Sequence, residues 1–387
     1  MQTHVGDVRR ELREGSRNWA ATMAATSLPG ASFATAHAGA AAAVGTMPRR
    51  DRAWREAWEA ANLAPGATQA AGAGRRLRPE APDADRTCFE RDRDRILHSS
   101  AFRRLAGKTQ VVIFPDDHQR TRLTHALEVA QIAVAIARAV GLNEALTEAI
   151  ALGHDCGHGP GGHASEIAFS AFLPLPYDHA VWGADVALAP LNLCAETLDG
   201  IRNHSWSRPS PSTPEGAVVS WADRIAYVCH DFEDAVHAGI IGIAEHPTLA
   251  MASGKMSRSA QIDGFVRALT TGIVSTGTVA MPHEAAAELA ACRLFNHEHI
   301  YLRPASVAQA EVVIQVLRAL VEHLIEHPAH VPAKYRTPAP GATETTTAEG
   351  VVAWVSGMTD RYAFMMAESL LGWNPSGLPD GIDVHRR

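Results

Sequence analysis

The stretch 153–166 reads Gly-His-Asp-Cys-Gly-His-Gly-Pro-Gly-Gly-His-Ala-Ser-Glu, placing three histidines and two carboxylates in a segment broken by glycine and proline. Neighbouring His154 and Asp155 make poor core residues, because both carry polar atoms that need partners once buried. They can, however, share one metal ion. Two further residues of suitable type stand far off in the chain, His125 and Asp223. Taken alone, the first reads as an ordinary histidine and the second as a cap or ion-pair partner, so the reading rests on the set. Imidazole and carboxylate donors without a thiolate suit a divalent ion, Mn2+, Mg2+, Fe2+, Co2+, Ni2+ or Zn2+, without choosing among them. Four protein ligands on an ion that prefers six leave two positions, for water and a phosphate oxygen, as hydrolysis requires.

Helices have to deliver these groups. Residues 121–140 are apolar over most of a helical circumference, with Thr121 or Thr124 as the cap and Gly141 as the stop. The polar exceptions His125, Glu128 and Gln131 recur at i, i+3, i+6 and form one stripe. Asn143 caps a second helix over 144–153, whose C-terminal end carries His154 and Asp155. After the loop 157–162 helical character resumes over 164–173, and His163 and Glu166, three apart, share a face at its start. A long helix over 217–240 aligns Asp223, Tyr227, Asp231 and Asp234 on one stripe.

The remaining pattern is helical as well. A short helix is expected within 54–59, an irregular arm over 62–85, a one-faced helix over 89–105 and an extended run over 110–114 closed by Pro115-Asp116-Asp117. An apolar stretch to Leu191 leads into a helix through His204, followed by a Ser/Pro-rich loop over 205–216. Further helices fall around 262–269, 285–295, 306–325 and 351–371, with a flexible insert over 338–347. No strong alternating pattern appears, so the fold class is all-α.

Composition sets limits on function. With 387 residues and a net charge of −7, the chain lacks the basic excess of a dedicated nucleic-acid binder. Arginines concentrate between 75 and 104, which suits either a phosphate-bearing ligand or a solvated face of paired charges. Five scattered cysteines without a C-x-x-C pair exclude a disulfide scaffold or zinc knuckle and point to a cytoplasmic protein. No run of about 18 strongly apolar residues is seen, so no membrane span is expected, and Asp7, Glu11 and Glu14 argue against a transit peptide. Residues 1–53 are Ala-rich and of low complexity and read as a disordered tail, with Met47 as a second candidate start. The main domain is placed at 54–375, with a metal core at about 87–245, a helical C-terminal part at about 246–375, and a tail over 376–387.

Several words of the sequence carry a resemblance: Phe89-Glu-Arg-Asp-Arg-Asp-Arg-Ile-Leu-His, Lys108-Thr-Gln-Val, Arg120-Thr-Arg-Leu-Thr-His-Ala-Leu-Glu-Val-Ala-Gln, Leu152-Gly-His-Asp-Cys-Gly-His and Ala222-Asp-Arg-Ile-Ala-Tyr-Val-Cys-His-Asp. Together they resemble the HD superfamily of metal-dependent phosphohydrolases, and within it the dGTPase-like deoxynucleoside triphosphate triphosphohydrolases. The resemblance implies an HD-domain helical bundle with additional C-terminal helices. It implies His125, His154, Asp155 and Asp223 as metal ligands, His163 as a catalytic histidine near the α-phosphate supported by Glu166, and His158 as a further histidine at the phosphates. Arg122 would neutralise phosphate charge, Gln110, Tyr227 and Asp231 would contact the deoxyribose, and His179 would be another pocket histidine. The implied reaction converts a deoxynucleoside triphosphate into deoxynucleoside and inorganic tripolyphosphate. A homo-oligomer is implied too, and an allosteric nucleotide is left open. The rival readings are an HD phosphohydrolase acting on nucleotide monophosphates or cyclic nucleotides, and a non-catalytic dNTP-binding regulator. One departure stands out: Gly159-Pro160-Gly161-Gly162 replaces the family's Thr-Pro-Phe-Gly. It predicts lost packing beneath the loop and added backbone freedom.

Overall fold

Local capping chemistry decides where most helices begin. The computed structural model describes residues 2–22, 26–27, 32–37, 43–111, 119–254, 256–336 and 347–377, in two units, 1–49 and 50–387. The first unit holds helix α1 (Gln2–Thr22) and a two-stranded antiparallel pair, β1 (Thr26–Ser27) and β2 (Ala34–Thr35). Among its described side chains Val8, Leu12 and Trp19 are all exposed.

In the second unit α2 (Arg52–Asn62) starts at Asp51, whose carboxylate accepts from the Trp54 N–H. The expected single helix over 89–105 is two, α3 (Cys88–Leu97) and α4 (Ser100–Arg104). Thr87 and Glu90 cap the first reciprocally, and the Ser99 hydroxyl accepts from the Phe102 N–H to start the second. Helix α5 (Arg122–Val140) is capped by Thr121 and stopped by Gly141 at φ 74°. Next, α6 (Glu144–Gly153) is capped by Asn143, with the bounds read from sequence. After it come α7 (His163–Ser170), α8 (His179–Trp182), α9 (Ala195–Arg202) and α10 (Pro214–His237). The last of these starts earlier than read, because Thr213 caps it and Pro214 suits its first turn.

The C-terminal half continues with α11 (Leu249–Ala252), α12 (Arg258–Thr276), α13 (His283–Asn296) and α14 (Pro304–Glu326). The expected last helix over 351–371 is also two, α15 (Thr347–Ser356) and α16 (Asp360–Leu371), because the Thr359 hydroxyl accepts from the Tyr362 N–H and starts a new helix. Residues 112–118, which hold most of the 110–114 run and its stop, fall outside the described residues, as do 338–346 of the insert and 378–387 of the C-terminal tail.

Two main cores result. The first joins Val129, Ile132 and Ile136 of α5, Leu146 and Ile150 of α6, and Val218, Ala222 and Ile225 of α10, with Phe89 and Ile96 of α3 beside them. The second joins Ala164, Ala168 and Phe169 of α7 to Val313, Leu317 and Leu320 of α14, Val351 and Val355 of α15, and Phe364 of α16. By length and hydropathy alone, α5 and α14 are apolar enough to cross a membrane, which corrects the expectation that no such run exists. Here α5 contributes buried residues to the first core and α14 to the second.

Candidate metal centre

Helix ends aim the ligand candidates. His125 lies one turn into α5, and His154 caps the C-terminus of α6, where its Nδ1 donates to the Ala151 carbonyl at 2.6 Å. That bond leaves Nε2 facing the cleft, where it is buried and has no hydrogen-bond partner. It stands 3.5 Å from Asp155 Oδ1 and 3.7 Å from Asp223 Oδ1, while His125 Nε2 is 3.1 Å from the same Asp223 oxygen. Separations of this size are those of atoms sharing one ion at about 2.0–2.2 Å each. The orphaned, buried Nε2 between two carboxylates is therefore a fit for a divalent ion. Burial alone would raise the Asp155 carboxyl, but His154, Arg122 and His158 hold it well below the usual range. Burial likewise opposes ionisation of Asp223, and His125 and His154 overcome it.

A third ring belongs here that the sequence reading left as the last residue of a helix. His204 follows α9, donates from Nδ1 to the Ile201 carbonyl at 2.8 Å and meets His154 edge-on at 5.0 Å between centroids. Burial, with His154 and His179 nearby, pushes its pKa down to about 4. His154, His204 and Asp223 form one group able to hold an ion, as His125, His154 and Asp155 form another. The available signal was positional: His204, like His154, sits just past the last turn of a helix.

Beside the ligands stands a wall of imidazoles. His158 stacks on His179 at 3.7 Å and places Nε2 3.2 Å from Asp155 Oδ1. His179 Nδ1 donates to Glu166 Oε1 at 2.9 Å, and its Nε2 lies 3.3 Å from His204 Nε2. This corrects the expected pairing of Glu166 with His163. The turn before α8 brings His179 to the carboxylate instead, held by the Tyr177 hydroxyl on the Gly157 carbonyl at 2.6 Å. His163 is accessible to solvent yet closely surrounded by protein, and burial with Arg122 and His179 pushes it down to about 4. His158, His163, Glu166 and His179 bring their ligand atoms within 4.8 Å of one another.

Arg122 turns one amine to Asp155, Nη1 to Oδ2 at 2.7 Å, while its Nε and Nη2 stay buried without partners. The long polar stripes divide. Of the α5 stripe His125, Glu128 and Gln131, His125 alone faces the ligands, since Glu128 pairs with Arg120 and Gln131 is exposed. On α10 Asp234 is taken by Arg120. Tyr227 accepts from Arg224, which lies over the Trp206 ring at 4.4 Å. Asp231 accepts from the Tyr301 hydroxyl at 2.6 Å, keeps Oδ1 buried and unpartnered, and is pushed up to about 7 chiefly by burial. Gln110, half-buried, also keeps an unpartnered side-chain oxygen.

The loop 159–162 is not the loose spacer expected from its composition. All four residues are buried, and Gly161 and Gly162 adopt φ 73° and 63°, which glycine tolerates best. A Cβ at Gly159 would stand 2.6 Å from the Phe169 ring and one at Gly161 2.4 Å from Val313, so the space beside the loop is already filled.

With this geometry in hand, comparison with known proteins is informative. Residues 122–228 match the HD domain family, and residues 279–369 match the phosphohydrolase-associated domain. The chain is 39% identical over 311 residues to a deoxyguanosinetriphosphate triphosphohydrolase-like protein of Caldanaerobacter subterraneus subsp. tengcongensis, covering 78% of this chain and 90% of the relative. It is 39% identical over 302 residues to the protein so named from Clostridium perfringens, covering 74% and 87%. To that of Syntrophus aciditrophicus it is 33% identical over 376 residues, covering 80% and 94%. The chain belongs to the deoxyguanosinetriphosphate triphosphohydrolase-like family of HD-domain proteins.

Proposed function

We propose that this protein hydrolyses deoxynucleoside triphosphates to the deoxynucleoside and inorganic tripolyphosphate with a divalent ion held by His125, His154, Asp155 and Asp223. The observation that carries the reading is the buried, unpartnered His154 Nε2 facing the carboxylates of Asp155 and Asp223. Relatives named as triphosphohydrolase-like support the substrate class. When bound, the ion supplies Lewis acidity at a phosphoryl oxygen and lowers the pKa of water.

The chain's own residues do the rest. Arg122 keeps Nε and Nη2 for phosphoryl oxygens, where a guanidinium binds best. A water oxygen bonds to the α-phosphorus as the bond from phosphorus to the 5′-oxygen breaks, and a proton must reach that oxygen. His163 is placed to carry it: its pKa is pushed down to about 4, and it gains proton affinity when a triphosphate brings negative charge beside it. His158 faces the same phosphates, braced by its stack on His179, which Glu166 holds. The free Asp231 Oδ1 can accept from a sugar hydroxyl, with Tyr227 and Gln110 completing the deoxyribose contacts.

The test is to incubate purified protein with Mn2+ or Mg2+ and each dNTP and rNTP separately, and to identify products by chromatography. Deoxynucleoside plus tripolyphosphate is expected. Orthophosphate, a linearised cyclic nucleotide from added cyclic substrate, or binding without turnover would overturn the reading in favour of its rivals.

A further inference from the structure

Beneath the loop that carries His158 three distant segments meet: 108–109 ahead of α5, the loop 157–162, and the turn between α15 and α16. Lys108, 3% exposed, donates from Nζ to the His158 carbonyl and, at 2.9 Å, to the Ser356 carbonyl. Asp360, 2% exposed, accepts at Oδ2 from the Thr109 N–H at 2.9 Å and from the Thr109 hydroxyl. Its Oδ1 accepts from the Gly161 N–H at 2.9 Å. One carboxylate thus ties the start of α16 to two separate backbone segments, and one ammonium does the same from the other side.

Packing alone does not call for these charges, because an apolar pair of similar size fills a core at least as well as buried ions do. What the charged pair adds is direction. A glycine-rich stretch has many backbone states to lose, and 159–162 contains three glycines. Lys108 fixes the carbonyl before that stretch, and Asp360 fixes an amide within it, two residues ahead of His163.

We propose that Lys108 and Asp360 are positioning residues through which the C-terminal helices set the backbone of the 158–161 loop, and with it the placement of His158 and His163. The inference rests on reading this cleft as the phosphohydrolase site. It gives the C-terminal helices a task in the chemistry although the four ligand candidates all lie outside them.

The experiment uses the full chain carrying Asp360→Asn or Thr109→Val. The substituted amide of the first cannot accept from both Thr109 and Gly161, and the second removes only the hydroxyl bond. Expected for Asp360→Asn are a kcat about tenfold to hundredfold lower, a KM close to wild type, wild-type metal content, and faster hydrogen–deuterium exchange confined to peptides spanning 157–163. Thr109→Val should move the same quantities less. Unchanged kcat and exchange in both variants would overturn the proposal. So would exchange raised equally through α5 and α10 with loss of metal, which marks a merely structural role. A wild-type protein that turns over no dNTP would sink the functional reading, while the exchange measurement would still judge the latch.

Discussion

The two halves of the cleft stand on different foundations. His125, His154 and Asp223 project from α5, α6 and α10, whose apolar faces form the first core. His163 and Glu166 project from α7, whose buried face packs with α14, α15 and α16 in the second. In the first half, the ligand candidates and the three helices that carry them come from one run of chain, about 122–228, with α3 packed beside them. In the second, residues near 165 depend on side chains more than 140 positions away, such as Val313 and Phe364. On the proposed function, the metal ligands and the proton-handling residues thus rest on different cores, and each half can be damaged by itself.

The strongest way to break the first half is Asp223→Ala or His154→Ala. Either should abolish turnover and lower bound metal measured by elemental analysis, while thermal stability of the second core changes little. A variant that loses metal and keeps full activity would remove the ion from the reading. His163→Ala sharpens the contrast, since it should cut kcat by roughly 10²–10⁴-fold and leave metal stoichiometry at the wild-type value. Phe169→Ala attacks the second foundation. Its ring is fully buried, so unfolding experiments should show a loss of roughly 3–5 kcal/mol, and the folded fraction should retain metal but turn over slowly. The smallest effect is expected from Tyr177→Phe, which leaves the Gly157 carbonyl without its donor. A stability loss of about 1–3 kcal/mol, seen in denaturant melts, would accompany a modest fall in kcat.

The same division governs what could be read from the sequence. Helices α5 and α6 declared themselves because Thr121, Gly141 and Asn143 cap them locally, and the His-Asp pair falls where α6 ends. Such signals involve neighbours three or four residues apart. Glu166 was visible as an acid on the right face but not as the partner of His179, because that pairing depends on a turn fixed by Tyr177 and the Gly157 carbonyl. His204 was read as the end of a helix and given no role, because nothing near it in sequence shows that it meets His154 and His179. Asp360 was overlooked because 351–371 was read as one helix, which made a buried, loop-binding carboxylate look like one more polar helix residue. The glycines at 159–162 suggested slack, since the side chains that fill the surrounding space, Phe169 and Val313, come from other helices.

The anchoring of His154 and His204 has an electrical consequence. An imidazole conducts a proton only if one nitrogen can take as the other gives, and in both rings Nδ1 is committed to a main-chain carbonyl that cannot pass a proton on. These two rings therefore act as insulators. His158 has no such bond, and its Nδ1 is unpartnered, while His163 opens to solvent. Proton exchange in the cleft therefore falls to rings such as these, whose nitrogens are not tied to the main chain, and not to His154 or His204.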